Sequence, residues 1–265
     1  MSETALDADG VESTTFHAAL PADRLRTALE PVAALVEECR VRFDGEGLRV
    51  AATDPATVAL VDVRIRPNAF ETYRAESGSF GLDLDRFLDV VGVGDRDDVV
   101  EMVLDPETRR LRVSIADLSY SLALLDPDTV REPPDPSEME YDLPAGASLP
   151  VERLDRGVGA AEMVGDHVAV GVETEDPAVV VHADGDTDEA SLRVPEGDLD
   201  RFEAAEVTSL FSLSYLDSMC RAVPSGTTVD VDVGTEAPLS MAFDPTDGVS
   251  VDYLLAPRRR AGYDE

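Results

Sequence analysis

Leu25, Ala28, Leu29, Val32, Leu35 and Val36 recur at helical spacing, while Arg26, Thr27, Glu30 and Ala34 lie off that stripe. The pattern predicts a helix opening at Pro21-Ala22-Asp23, with Asp23 as its N-cap and a kink at Pro31. A short strand over 15–20 leads into it. Runs of alternating character then predict strands at 39–43, 48–53, 58–65, 70–74 and 78–82. Asp44-Gly45-Glu46-Gly47 supplies hairpin chemistry, and Thr53-Asp54-Pro55 marks a loop. Leu84, Phe87, Leu88 and Val91 return to the helical period, closed by Gly92 and Gly94. Strands over 99–104, 109–115 and 119–124 complete this half.

The second half repeats the order. A lead-in at 149–154 runs into a helix bearing Leu154, Val158, Ala161 and Val164. Strands follow at 167–172, 178–183 and 191–194, then a segment at 202–208 and a strand at 211–213. A fourth helix carries Leu216, Met219, Cys220 and Val223 and stops at Pro224; strands at 228–233, 239–243 and 249–255 end the pattern. The first helices of the two halves start 129 residues apart, and Phe80-Gly81-Leu82 and Phe211-Ser212-Leu213 lie 131 apart. Two copies of one α+β unit are therefore expected, each with two helices on antiparallel strands.

Between the copies lies 125–143, with Pro127, Pro133, Pro134 and Pro136, seven acids and one base, Arg131. Proline lacks a ladder N–H and fixes its own φ, so this run is an extended, rather stiff connector. The expected organisation is an acidic disordered extension at 1–14, an N-terminal domain at 15–124, the connector at 125–143, a C-terminal domain at 144–257 and a tail at 258–265.

Charge changes the picture. The chain has 56 acids against 22 bases, for a formal net charge of −34, and every base is arginine. The acids are spread throughout, which suits a solvated shell in a high-salt cytoplasm, where self-repulsion is screened over a few ångströms. Cys39 and Cys220 stand among apolar residues and read as buried thiols in a reducing compartment. There is no apolar run long enough for a membrane span, and the expected location is cytoplasmic.

No catalytic, cofactor or metal motif is present. His17, His167 and His182 are unclustered in sequence, and the chain lacks the lysine a phosphate-binding loop needs. What remains is arginine placement: Arg24 and Arg26 at the first helix, Arg86 on the second, Arg156 on the third and Arg221 on the fourth. Arg156 falls about 200° from Leu154 on a helical wheel, opposite the apolar stripe.

Several separated motifs resemble those of the proliferating-cell-nuclear-antigen family of DNA sliding clamps, in the order that family has them. They are Tyr253-Leu254-Leu255-Ala256-Pro257-Arg258, close to the family's YLAPK, with Phe70-Glu71-Thr72-Tyr73, Thr53-Asp54-Pro55, the run LSYSLALLDPD over 118–128, and Met163-Val164-Gly165-Asp166. The resemblance is nearest to halophilic archaeal members and spans about 15–260. It implies a clamp fold, a head-to-tail homotrimeric ring, helices lining a hole for double-stranded DNA, and no catalysis or cofactor. A place in a heterotrimeric or specialised clamp, or as a non-ring scaffold of the same fold, is the alternative.

The same resemblance assigns surfaces. Arg24, Arg26, Arg86, Arg156 and Arg221 face DNA without reading sequence, although Asp89, Gly92 and Gly159 stand where many relatives have lysine. The ring seam pairs an edge strand near 116–121 with one near 178–182, using Tyr120, Val158, Ala161, Val179 and Val181. A pocket formed by Thr53, Val130, Met139, Tyr141, Pro238, Leu254, Leu255, Ala256 and Pro257 receives short peptide motifs of polymerase, clamp loader, flap nuclease and ligase. Leu254 stands where many relatives have tyrosine.

Overall fold

The computed structural model describes residues 16–131, 133–134, 139 and 141–258. The extension at 1–14, most of the tail and several connector residues lie outside the described residues. The first half runs β1 (Phe16–Pro21), α1 (Ala22–Ala33), β2 (Glu38–Asp44), β3 (Gly47–Thr53), β4 (Ala59–Ile65), β5 (Thr72–Ala75), β6 (Gly78–Asp83), α2 (Leu84–Val91), β7 (Val99–Asp105), β8 (Arg110–Ile115) and β9 (Leu118–Ala123). The second runs β10 (Ala145–Pro150), α3 (Val151–Ala161), β11 (His167–Glu173), β12 (Ala178–Asp184), β13 (Glu189–Pro195), β14 (Arg201–Glu203), β15 (Val207–Ser212), α4 (Leu213–Arg221), β16 (Thr228–Val233), β17 (Leu239–Thr246) and β18 (Val249–Leu255).

Each half carries two kinds of sheet. One kind is β5-β1-β7-β8-β9 in the first half and β14-β10-β16-β17-β18 in the second. The other is β6-β2-β3-β4 and β15-β11-β12-β13. Within the chain, β18 pairs antiparallel with β4 from Val249↔Ile65 to Leu255↔Ala59, which fuses one sheet of each half into nine continuous strands. Both halves share one buried core. Tyr253, only 1% exposed, crosses the junction and donates its hydroxyl to the carbonyl of Pro31 at 2.7 Å. That carbonyl lies near the C-terminus of α1, where helical acceptors lose their own partners.

Several expectations need correction. α1 is capped by Pro21, whose extended backbone ends β1, so Asp23 sits inside the first turn and instead meets Arg96 at 3.3 Å. α1 ends at Ala33, leaving Leu35 and Val36 as partly buried packing in the turn to β2. Gly92 ends α2 in right-handed conformation (φ −67°), so no left-handed cap is made there. The lead-in to α3 is a full strand, β10, that the small residues Ala145, Gly146 and Ala147 disguised. The segment at 202–208 is cut between β14 and β15, and Leu213 opens α4. Consequently α2 and α4 start 129 positions apart, as α1 and α3 do, and Leu82 rather than Phe80 corresponds to Phe211.

Candidate partner groove, helix face and strand edges

The loop at Thr53-Asp54-Pro55 is built around a buried carboxylate. Asp54 is 2% exposed. It accepts from the backbone N–H groups of Ala56 (2.8 Å), Val58 (2.6 Å) and Ala59 (2.7 Å). It also accepts from the hydroxyl of Tyr215 on α4, at 2.6 Å, in the other half of the chain. Burial alone would raise its pKa, but these donors outweigh it and hold Asp54 below the ordinary aspartate range. The same bond, together with burial, pushes Tyr215 up to about 12. The loop presents the carbonyl of Val58, which accepts from Ala256 N–H at 2.8 Å as the chain leaves β18.

Beside this loop lies a groove of about 380 Å³, lined by Thr53, Val58, Leu60, Pro238, Leu254 and Ala256, with Arg131, Pro134, Met139 and Tyr141 on the connector side. Its walls are mostly apolar, and the Thr53 Oγ1 is buried without a hydrogen-bond partner among the described residues. An apolar anchor plus one polar contact would complete it. Six of the expected pocket residues line it: Thr53, Met139, Tyr141, Pro238, Leu254 and Ala256. Three do not. Leu255 points the other way along β18 and is fully buried. Val130 lies against Gly81, where a Cβ would approach its methyl group to 3.1 Å, so it pins the connector to β6. Pro257 is half-buried and is not among the lining residues. Val58 and Leu60 went unnoticed because β4 looked like ordinary sheet core.

The arginines fall in three settings. Arg24, Arg26 and Arg221 line one cleft with Arg96, where the start of α1 meets the end of α4. Arg24 donates to the carbonyl of Ala69 at 2.8 Å, Arg26 meets Glu30 at 3.3 Å, and Arg221 meets Asp217 at 2.9 Å and Glu162 at 3.4 Å. Arg86 instead donates to the hydroxyl of Tyr120 on β9, at 3.0 and 3.2 Å. Arg156 is exposed and has no ion pair or hydrogen bond among the described residues. Gly159, one turn on, is open: a Cβ there would meet nothing within 4 Å.

For the seam, the expected residues were misplaced by one strand. β12 is an interior strand between β11 and β13, so its N–H and C=O groups are already paired. Val179 and Val181 alternate inward from it, and Val158 and Ala161 face inward from α3; all four are buried in the chain's own core. β9 and β13 are edge strands, as are β5, β6, β14 and β15 among the described residues. β9 and β13 carry apolar side chains only partly covered: Leu118, 36% exposed, and Tyr120 on β9, Ala190 and Leu192 on β13.

Cys39 and Cys220 are free and buried, and burial pushes both thiols up, Cys39 to about 12. Among the described residues no cluster of three or more His, Cys, Asp or Glu side chains gathers in metal-binding geometry. No described helix is long and apolar enough to cross a membrane.

A groove at the junction of two like halves, each with two helices packed on antiparallel sheets, defines a duplicated clamp-type fold. Residues 17–123 match the family model for the N-terminal domain of proliferating cell nuclear antigen. The chain is 41% identical over 244 residues to the DNA polymerase sliding clamp of Halobacterium salinarum, covering 92% of this chain and 98% of that one. It is 43% identical over the same length to the corresponding protein of Natronomonas pharaonis, with the same coverage. Its fold superposes on the structure described as the C-terminal region of FEN-1 bound to A. fulgidus PCNA, with TM-score 0.86, 31% identity, and coverage of 93% of this chain and all of that one. The chain belongs to the proliferating cell nuclear antigen family.

Proposed function

We infer that the chain works as a DNA polymerase sliding clamp: three copies close head to tail into a ring around duplex DNA and tether replication and repair enzymes without catalysing a reaction. The observation that carries the ring is internal. β9 corresponds to β18, and β13 corresponds to β4, in the two kinds of sheet. The junction β18–β4 inside the chain is therefore a template for β9 of one copy meeting β13 of the next. Tyr120 corresponds to Tyr253, since each faces the equivalent residue of its neighbour, Val113 and Met241.

The template fixes a register. Asp252↔Asp62 becomes Ser119↔Ser191, Val251↔Val63 becomes Leu118↔Leu192, and Tyr253↔Val61 becomes Tyr120↔Ala190. Directly opposed residues on antiparallel strands have Cα atoms about 4.5–5.5 Å apart, within disulfide range. Ser119→Cys combined with Ser191→Cys is therefore expected to yield covalent trimers on oxidation, read on a non-reducing gel. Neither single variant should cross-link in this way. Cross-links only between wrong positions, or a monomer by light scattering in molar salt, would reject the ring.

In that ring the four helices of each copy face the hole, with Arg24, Arg26, Arg86, Arg156 and Arg221 toward the phosphates. Arg156 is the one of the five with no hydrogen bond or ion pair among the described residues, so it should carry the largest share of direct contact. Arg156→Glu is expected to reduce retention on DNA and to lower the salt slope of binding, log K against log salt, by about 0.9 per lost contact. An unchanged slope would remove Arg156 from the phosphate path.

The groove receives partner peptides. That a relative was solved with the C-terminal region of FEN-1 supports a flap nuclease as one partner; polymerase, ligase and clamp loader are proposed for the same groove. Its mouth is aliphatic at Leu254. Leu254→Asp should weaken binding of a peptide with a hydrophobic anchor by about 100-fold, or about 2.8 kcal/mol at 1.4 kcal/mol per decade, with the trimer intact. Titration calorimetry reads it, and unchanged affinity would move the site elsewhere.

A further inference from the structure

Two tyrosines tie the halves together at the internal junction, and both have counterparts in the first half. The helices α2 and α4 start at equivalent points: Leu84 N–H donates to the carbonyl of Glu37 at 2.9 Å, as Leu213 N–H does to that of Asp166 at 3.0 Å. Arg86 is therefore the counterpart of Tyr215, each the third residue of its helix. Tyr215 reaches out of its own half to a carboxylate, Asp54 in the loop between β3 and β4. The corresponding loop joins β12 to β13. Its Gly185 N–H closes onto the carbonyl of Asp188 at 2.9 Å, as Asp54 N–H closes onto that of Ala59 at 3.1 Å. That loop is exposed and also carries acids, Asp186 and Asp188. The second tyrosine, Tyr253, is the counterpart of Tyr120 and donates to the carbonyl of Pro31. Counted from the helix starts at Ala22 and Val151, Pro31 corresponds to Ala160. Pro31 is buried, whereas Ala160 is only half-buried and meets no such tyrosine within the chain. Its carbonyl takes one long bond, from Met163 N–H at 3.3 Å, and has a second lone pair to offer.

We propose that Arg86 is a seam residue: it directs the Tyr120 hydroxyl onto the carbonyl of Ala160 of the next copy, and turns its remaining N–H groups to that copy's acidic turn at Asp186 and Asp188. This rests on the ring inferred above and gives Arg86 a task on protein beside its place on a helix facing the hole. The first link is already made within the chain. Arg86 donates from Nε and Nη2 to the Tyr120 oxygen at 3.2 and 3.0 Å, and its guanidinium lies 6.0 Å from the ring centre. Those bonds occupy the phenol as an acceptor and leave its own O–H to donate; a guanidinium has five N–H groups, so others are left for a carboxylate. A phenol that accepts from a cation is also the stronger donor to a carbonyl. The link to the turn repeats the internal one, from the third residue of a helix to an acid in the same loop of the neighbouring half, with guanidinium in place of hydroxyl. It also puts a cation opposite carboxylates where two copies, each of net charge −34, must approach.

Arg86→Cys combined with Asp186→Cys tests the geometry in the full chain in molar salt, with a short bismaleimide as the probe, since the two native thiols are buried. Covalent trimers on a denaturing gel are expected, and neither single variant should give them. Tyr120→Phe and Arg86→Ala test the roles. Each is expected to weaken a seam by about five- to tenfold, read by light scattering on dilution. Together they should weaken it by less than the product of the two, because Arg86 acts partly through the Tyr120 hydroxyl. Two fully multiplicative effects, or no effect of Arg86→Ala, would overturn the proposal. A trimer that cross-links through Ser119→Cys with Ser191→Cys but not through positions 86 and 186 would overturn it while the ring stands. A monomer that cross-links through neither pair would reject the ring itself, and this seam with it.

Discussion

Leu118→Glu is expected to leave the folded chain monomeric. Leu118 corresponds to Val251 and its proposed cross-seam neighbour Leu192 to Val63, and both counterparts are almost completely buried at the β18–β4 junction. Burying an apolar side chain of this size contributes about 1.5–3 kcal/mol, and inserting an unpaired carboxylate costs several more. At 1.4 kcal/mol per decade, the association constant should fall about a thousandfold or more. Within one copy the position is at an open edge, so folding should change little. Light scattering in molar salt reads the outcome. Leu192→Glu should do the same from the other side, and a stable trimer in either variant would rule out this register.

Asp54→Ala is the second large effect, and it acts inside the chain. It strands the N–H groups of Ala56, Val58 and Ala59 and the hydroxyl of Tyr215. Each buried unsatisfied donor costs about 1–3 kcal/mol, reduced where water enters, so a loss of about 3 kcal/mol is expected. For a chain of this size that lowers Tm by roughly 6–12 °C. The pH dependence has a definite sign. Because the folded-state pKa is depressed, the stabilisation is present in full above the ordinary aspartate value near 4 and is lost as pH falls through the lower folded value. The variant should lack that acid-side segment of the stability profile. It should also weaken peptide binding, because the loop that Asp54 holds forms one wall of the groove. Wild-type stability in Asp54→Ala would show that the cross-domain bond contributes nothing.

The errors in reading the sequence have a common physical source. Alternation along 178–184 shows that Val179 and Val181 share a face, yet the same alternation is found in an interior strand and at an edge. β12 is interior because β13 pairs with it along its whole length. Likewise, Leu254 and Leu255 are equivalent as letters, but the pleat sends one into the groove and the other into the core. Arg86 was grouped with the other helix arginines, and only the fold shows it holding the phenol of Tyr120.

By itself the sequence determined the element order, the duplication, the acidic shell and the family, because periodicity, turn chemistry and motif order are local properties. Thr53-Asp54-Pro55 was visible as a loop for the same reason. The tertiary structure alone decided that Asp54 is bonded to Tyr215, 161 positions away, and that Tyr253 reaches Pro31 across 222. It also decided which strands end a sheet. Those facts depend on which strands pair and in what register, and pairing between distant segments is set by the packing of the whole core rather than by any stretch of chain.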